Sequence, residues 1–187
     1  MSRPRIFLIH ATPLSINPIN AAFDRHWPQA ELVNLLEDSL PRDLKAAGQL
    51  TPAITQRFLD LARYAVSAGA DAILFTCSAF GEALDARKRE VSIPLLKPNE
   101  AMIEAALAQG SRIGLLATFE PTLGSMRAEF LAAAARTGQS LELQLQLAED
   151  GMQILAQGDG AEHDRRVGQA AAALGAAEVI CLAQFSM

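Results

Sequence analysis

The sequence predicts an α/β protein made of two similar halves, each a parallel sheet flanked by helices. One observation is that short apolar runs of branched residues alternate with longer segments of helical periodicity, which is typical of parallel sheets covered on both faces. Another is an internal repeat at an offset of 107 residues, in which Arg5–Ile9 matches Arg112–Leu116 and Gly69–Phe80 matches Ala176–Met187. Because two separate segments share one offset, the repeat indicates a duplicated architecture rather than chance similarity.

The elements of the first half are predicted from local patterns. Arg5–His10 is a short apolar run closed by Thr12 and Pro13, which indicates a buried strand. Residues 51–68 carry apolar side chains at helical spacing, preceded by a Thr-Pro pair suited to a helix start and followed by a glycine suited to its end. The other predicted elements are strands at 30–36, 71–75 and 93–96 and a helix at 80–89.

The second half repeats the alternation. A helix is predicted at 100–108, closed by Gly110, and the strand at 112–117 begins the repeat. The elements predicted after it are helices at 123–136, 151–157 and 163–174 and strands at 141–147 and 178–182. We expect lobes at 1–97 and 98–187, with the active site in a cleft between them.

Composition limits the classes of function. The chain has 187 residues, of which 50% are hydrophobic, and a formal net charge of -5, which is enough for one large domain or two small lobes with a core. The absence of a basic run argues against nucleic acid as a partner. The run Ile6–Ile9 is too short for a signal-peptide core, and no segment is long enough to cross a bilayer. Two distant cysteines on predicted strands suggest reduced thiols in a cytoplasmic protein.

Cys77 is the main candidate for chemistry. Ligands of parallel α/β sheets bind beyond the carboxyl ends of the strands, and Cys77 lies at such an end. The repeat aligns it with Gln184, so one half offers a thiol and the other an amide, and we expect both to face the cleft. Backbone N–H groups near Ser78–Gly81 would lower the pKa of the thiol. The structural alternative is that Cys77 is a small buried hydrophobe and that Gln184 caps a backbone.

Four segments carry a resemblance to the aspartate/glutamate racemase superfamily, which includes hydantoin racemases, maleate isomerases and arylmalonate decarboxylases. They are Phe75–Gly81, Ile93–Lys97, Ile113–Thr118 with Thr122, and Leu182–Gln184. The resemblance implies a two-lobed protein that works without pyridoxal phosphate or metal, so no cofactor is expected. Its racemases use one cysteine from each lobe. Cys77 matches the first, Gln184 stands at the second, and Cys181 does not match.

The resemblance also implies substrate contacts. Thr118 and Thr122 resemble threonines that contact a carboxylate, although both could instead cap the following helix. His10 ends the first strand and could donate a second proton, or it could be a satisfied histidine. The remaining predicted substrate contacts are Thr12, Thr76, Ser78, Ala79 and Ser186. No metal site is expected, since His163 and Asp164 lack a third ligand at useful spacing.

These observations predict chemistry at the α-carbon of a small carboxylic or amino acid, with Cys77 as the single conventional acid–base group. The product could arise by isomerisation, racemisation or decarboxylation. One alternative is a non-catalytic protein that binds a small carboxylate. Another is a thiol hydrolase, which needs a histidine beside Cys77. We also expect a homodimer or higher homo-oligomer, and a C-terminal segment beyond Met187 that covers the last strand.

Overall fold

The computed structural model describes residues 3–80 and 91–187, and it confirms the predicted α/β fold. In the described part the chain divides into two compact units, Met1–Pro98 and Asn99–Phe185. The helix predicted at 80–89 lies outside the described residues except for Phe80, which ends a 3₁₀ turn. No helix among the described residues is long and apolar enough to cross a membrane.

The first unit holds a four-stranded parallel sheet with the order β2-β1-β3-β4. Its elements in chain order are β1 Arg5–His10, α1 Ile16–His26, β2 Glu31–Leu36, α2 Leu40–Ala47, α3 Pro52–Ser67, β3 Ala72–Phe75 and β4 Leu95–Leu96. The helix α1 covers one sheet face, where Ile19 packs with Ile6 and Leu8. On the other face the rings of Phe58 in α3 and Phe75 lie 5.5 Å apart.

The second unit holds a three-stranded parallel sheet with the order β6-β5-β7. Its elements are α4 Glu100–Gln109, β5 Arg112–Ala117, α5 Glu120–Thr137, β6 Glu142–Leu147, α6 Gly151–Ala156, α7 Gly160–Ala172 and β7 Val179–Leu182. Helices α4 and α5 pack on the face that carries Ile113 and Leu115. The face that carries Leu116 packs with Ala170 of α7. Helices therefore cover both faces, as the sequence predicts.

The repeat predicted from the sequence recurs in the contacts. The backbone N–H of Arg5 donates to the Asp71 carboxylate at 2.7 Å, and the N–H of Arg112 donates to Glu178 at 3.0 Å. The positions in each pair differ by 107 residues. The same offset separates β1 from β5 and β3 from β7, and in both sheets the repeated pair of strands is adjacent.

Two helices of the first unit were not expected from the sequence. The helix α1 follows a short 3₁₀ turn at Pro13–Ser15, and α2 begins within a segment that resembles a turn. Each has a proline in or before its first turn, where the missing N–H of proline costs nothing. Prolines that looked like the ends of elements therefore lie at the beginnings of helices.

Candidate functional site

Cys77 emerges at the carboxyl end of β3, two residues after Phe75. Its side chain is half-buried, whereas Thr76, Ser78 and Ala79 around it are buried. A 3₁₀ turn at Ser78–Phe80 follows directly. The thiol is therefore the partly accessible group of a strand end whose other described side chains face inward.

The pKa of the Cys77 thiol is raised, whereas the sequence predicts that it is lowered. Burial raises it from 9.0 to about 11, although the backbone N–H of Ala79 donates a hydrogen bond that acts to lower it. The predicted N–H donor is present, but removal of the thiolate from water has the larger effect. Burial likewise raises the pKa of Cys181, in mid-strand in β7, to about 11. Both thiols are free and stay protonated near neutral pH.

His10 lies at the end of β1 with no exposed surface. Its Nε2 lies 2.8 Å from Oδ1 of Asn34, and its Nδ1 lies 2.9 Å from the hydroxyl oxygens of both Ser15 and Thr76. Burial lowers the pKa of the imidazole, against an opposing hydrogen bond to Asn34. Both ring nitrogens are thus engaged by neighbouring side chains, which is the arrangement of a satisfied histidine. A thiol hydrolase would need His10 to give up one of these hydrogen bonds to act as its base.

Thr12 and Thr76, two other predicted contacts of the first unit, make hydrogen bonds within that unit. The hydroxyl of Thr12 accepts a hydrogen bond from the N–H of Leu14 at the start of the 3₁₀ turn. The hydroxyl of Thr76 is also 3.3 Å from the carbonyl of Ile9. Sequence reasoning missed Asn34 and Ser15. The available signal for Asn34 was a lone amide within the apolar run of β2, while nothing in the sequence marks Ser15.

The structure brings together three predicted residues of the second unit. The side-chain oxygen of Gln184 accepts from the backbone N–H of Thr118 at 2.9 Å and from its hydroxyl at 3.3 Å. The amide nitrogen of Gln184 donates to the Thr122 hydroxyl at 3.1 Å. Gln184 is half-buried, whereas both threonines are buried. Gln184 therefore links the end of β5 to the start of α5 by its own amide, and one of its two N–H groups makes no hydrogen bond to residues 3–80 or 91–187.

The remaining predictions stay predictions. Ser186 is half-buried two residues after Gln184. That Cys77 and Gln184 face one cleft, and that the ten predicted residues contact a substrate, also stay predictions. Among residues 3–80 and 91–187, no three His, Cys, Asp or Glu side chains converge as metal ligands.

The comparisons with known proteins point to one family. A family model described as Asp/Glu/Hydantoin racemase matches residues 11–187. No curated protein matches the chain. The fold resembles a glutamate racemase isoform from Bacillus anthracis, with a TM-score of 0.76 and 16% identity over 100% of this chain and 70% of that one.

Two further solved structures show the same fold. The aspartate racemase of Picrophilus torridus has a TM-score of 0.75 and 12% identity over 98% of this chain and 82% of that one. The glutamate racemase of Aquifex pyrophilus has a TM-score of 0.60 and 17% identity over 75% of this chain, which spans 54% of the length of that protein. At these identities the likeness concerns the fold.

Proposed function

The chain belongs to the Asp/Glu/hydantoin racemase family, and from that premise we propose that it acts without a cofactor at the α-carbon of a small carboxylic or amino acid. Cys77 is the acid–base group. The observation that supports this proposal is its position, a half-buried thiol just beyond the carboxyl end of β3 with the Ala79 N–H at its sulfur. This edge of a parallel sheet is where ligands bind.

The raised pKa restricts how Cys77 works. With a pKa of about 11 the resting group is a thiol, which can donate a proton but cannot accept one. At pH 7.5 only about one molecule in 3,000 carries the thiolate. A bound substrate must therefore lower that pKa before proton removal, as a nearby ammonium group would do by favouring the charged form.

Gln184 limits the proposed reaction to proton transfer at one face of the α-carbon. An amide does not ionise near neutral pH, so it cannot remove or return the proton on the second face. Its carbonyl holds the N–H and hydroxyl of Thr118, and its remaining N–H can donate to a substrate carboxylate. We therefore favour an isomerase, a decarboxylase or a racemase with an unconventional second base.

Exchange of the α-proton with solvent tests the proposal. Candidate acids, including both enantiomers of aspartate and glutamate, are incubated with the protein in heavy water, and deuterium at the α-carbon is followed by NMR. We expect exchange with the unmodified protein and its loss in Cys77→Ala and Cys77→Ser. The variant Cys181→Ser is the matched control and should keep the rate. Exchange that survives in Cys77→Ala would contradict the role of Cys77.

One observation favours a second candidate, a protein that binds a small carboxylate without turnover. The resting thiol is protonated and the Gln184 amide is largely engaged, which suits a binding site as well as a catalytic one. Titration calorimetry with Cys77→Ala separates the two. A binding protein shows no exchange even when unmodified and keeps its affinity in Cys77→Ala, whereas the enzyme shows exchange that Cys77→Ala abolishes. We further propose a homo-oligomer in the cytoplasm, to be tested by light scattering and by fractionation.

A further inference from the structure

The end of the first sheet contains a polar cluster that the proposed reaction does not use. Leu8 is paired with Asn34 of β2, and Ile9 with Phe75 of β3. Paired residues of parallel strands point to the same face, and successive residues alternate between faces. His10, Asn34 and Thr76 consequently share one face, although they lie on three different strands or strand ends.

The hydrogen-bond directions follow from the donors available. Oδ1 of Asn34 can only accept, so Nε2 of His10 carries the proton and Nδ1 offers a lone pair. The Ser15 hydroxyl donates to the carbonyl of Thr12 at 3.0 Å. The Thr76 hydroxyl faces two acceptors, Nδ1 of His10 at 2.9 Å and the Ile9 carbonyl at 3.3 Å, and it also lies 3.2 Å from the Ser15 hydroxyl. Nδ1 is the nearer acceptor, and we assign the Thr76 proton to it. The lowered pKa of His10 agrees with a neutral ring.

Thr76 is held to β1 from two sides. Its backbone N–H donates to the carbonyl of Ile9 at 3.0 Å, and its hydroxyl is held by His10. The next residue is Cys77. We propose that His10 is a positioning residue, which through Nδ1 fixes the Thr76 side chain and thereby the strand end that presents Cys77. The inference rests on the proposed function only in taking Cys77 as the reacting group.

The chemistry of the imidazole explains why this position needs histidine. His10 has no exposed surface, so water cannot readily replace a lost partner. Removal of the ring takes the donor from Oδ1 of Asn34 and leaves the Thr76 hydroxyl with only its longer contacts, 3.3 Å to the Ile9 carbonyl and 3.2 Å to the Ser15 hydroxyl. A side chain here must reach Thr76 on one side and Asn34 on the other. Imidazole supplies a nitrogen to each at fixed geometry.

Two amide substitutions separate the two ring nitrogens. The amide of His10→Asn reaches the place of Nδ1, and that of His10→Gln reaches the place of Nε2. A second matched pair is Thr76→Val, which removes the hydroxyl at nearly constant shape, and Thr76→Ser, which keeps it. The readout is the rate of alkylation of each cysteine at pH 8, resolved by mass spectrometry. Cys181 lies in the other unit and serves as the internal reference.

We expect the alkylation rate of Cys77 to depend on Nδ1 of His10, the ring nitrogen that contacts Thr76. In His10→Gln and Thr76→Val the released strand end admits water to the thiol, its pKa falls, and alkylation of Cys77 rises about tenfold for each pKa unit. Cys181 should stay within about twofold of the unmodified protein, because reporters in separate units respond independently. His10→Asn and Thr76→Ser should leave the rate for Cys77 near that of the unmodified protein.

Two outcomes would overturn the inference. If His10→Asn and His10→Gln change the rate for Cys77 equally, the contact from Nδ1 to Thr76 does not position it. If the rates for Cys77 and Cys181 rise together, the substitutions loosen the protein as a whole. Alkylation needs no substrate, so failure of the α-proton exchange experiment would remove the proposed reaction and leave this result standing.

Discussion

The Cys77 thiol and the Gln184 amide occupy equivalent positions of the repeat, yet they differ in the hydrogen bonds that they make. The thiol receives a single described hydrogen bond, from the Ala79 N–H, whereas the amide oxygen and nitrogen of Gln184 are both taken by threonines. Of the two groups only the thiol can ionise, and the proposed function takes the thiol as the reacting group and the Gln184 amide as a hydrogen-bonding group.

Alkylation at different pH values tests the surroundings of Cys77. We expect Cys77 to react faster than Cys181, because it is half-buried while Cys181 is 4% exposed. Since burial raises the pKa of both thiols to about 11, both rates should keep rising above pH 10 instead of levelling near pH 8. Iodoacetamide labelling resolved by mass spectrometry measures both. A plateau for Cys77 below pH 8 would show that its N–H donor outweighs burial.

Stability at alkaline pH should depend on Cys181. Its pKa is higher in the folded protein than in the unfolded chain, so its contribution is complete below pH 9 and is lost as the pH rises toward 11. A shift of two units corresponds to about 2–3 kcal/mol of unfolding free energy. Urea unfolding of Cys181→Ala should show a shallower decline than the unmodified protein between pH 9 and 11. Parallel declines would contradict the raised pKa.

Sequence reasoning at the residue scale located the strand ends but not their internal partners. The positions of Cys77, Gln184 and Thr118 follow from the repeat and the strand pattern, which are properties of the local sequence. The partners of His10 come from β2 and from the 3₁₀ turn, and such pairings depend on register and on the path of a loop. The raised pKa of Cys77 was missed because burial at a strand end depends on packing around it.

At the scale of elements, the strands were predicted closely and two helices were missed. The strands β1 and β5 have the predicted bounds, because short runs of branched apolar residues favour buried strands. The helix α2 was missed because Pro41, in its first turn, resembled a breaker. No helix was predicted at α1, because Thr12 and Pro13 before it indicated only the end of β1. Proline ends a helix from its interior, but it is compatible with the first turn.

The contact between α6 and β5 can be tested at one glycine. A Cβ on Gly151 would lie 2.8 Å from the methyl carbon of Thr118, which must then move. We expect Gly151→Ala to reduce the unfolding free energy by about 1–3 kcal/mol, as overpacking does. The amide NMR signal of Thr118 should also shift, since this N–H donates to Gln184.

A second glycine supplies the control for that prediction. Gly168 in α7 has open space where a Cβ would lie. Gly168→Ala should raise the unfolding free energy by about 0.5–1 kcal/mol through helix propensity alone. Equal stabilisation by both substitutions would show that Thr118 is not packed tightly against α6.

At the scale of the whole molecule, duplication predicted the architecture because both halves meet the same backbone requirements. In each unit a carboxylate, Asp71 or Glu178, accepts a hydrogen bond from the backbone N–H of the first residue of β1 or β5. The residue that follows β3 or β7 donates its N–H to the neighbouring strand: Thr76 donates to Ile9 of β1 and Ala183 to Leu116 of β5. The side chains at the carboxyl ends of the strands take no part in these shared hydrogen bonds, and the two halves differ at those positions.

The difference between the halves predicts how the proposed reaction treats the two faces of the α-carbon. Cys77 can remove a proton and return it to the same face, which restores the starting enantiomer. The proposed reaction assigns the other face to Gln184, whose amide supplies no acid, and the absence of general acid help costs about 10²–10⁴-fold in rate. Exchange of the α-proton with heavy water should therefore be much faster than any change in optical rotation.

Gln184→Cys tests whether that position limits racemisation. The substitution supplies a second thiol and removes the hydrogen bonds to Thr118 and Thr122. Racemisation should rise relative to exchange, while Gln184→Ser, which loses the same amide but gains no comparable acid, should leave the ratio low. Polarimetry and deuterium NMR on the same samples give both rates. Rapid racemisation by the unmodified protein would falsify this account, because the second proton would then have a source other than Gln184, and neither ring nitrogen of His10 is free to supply it.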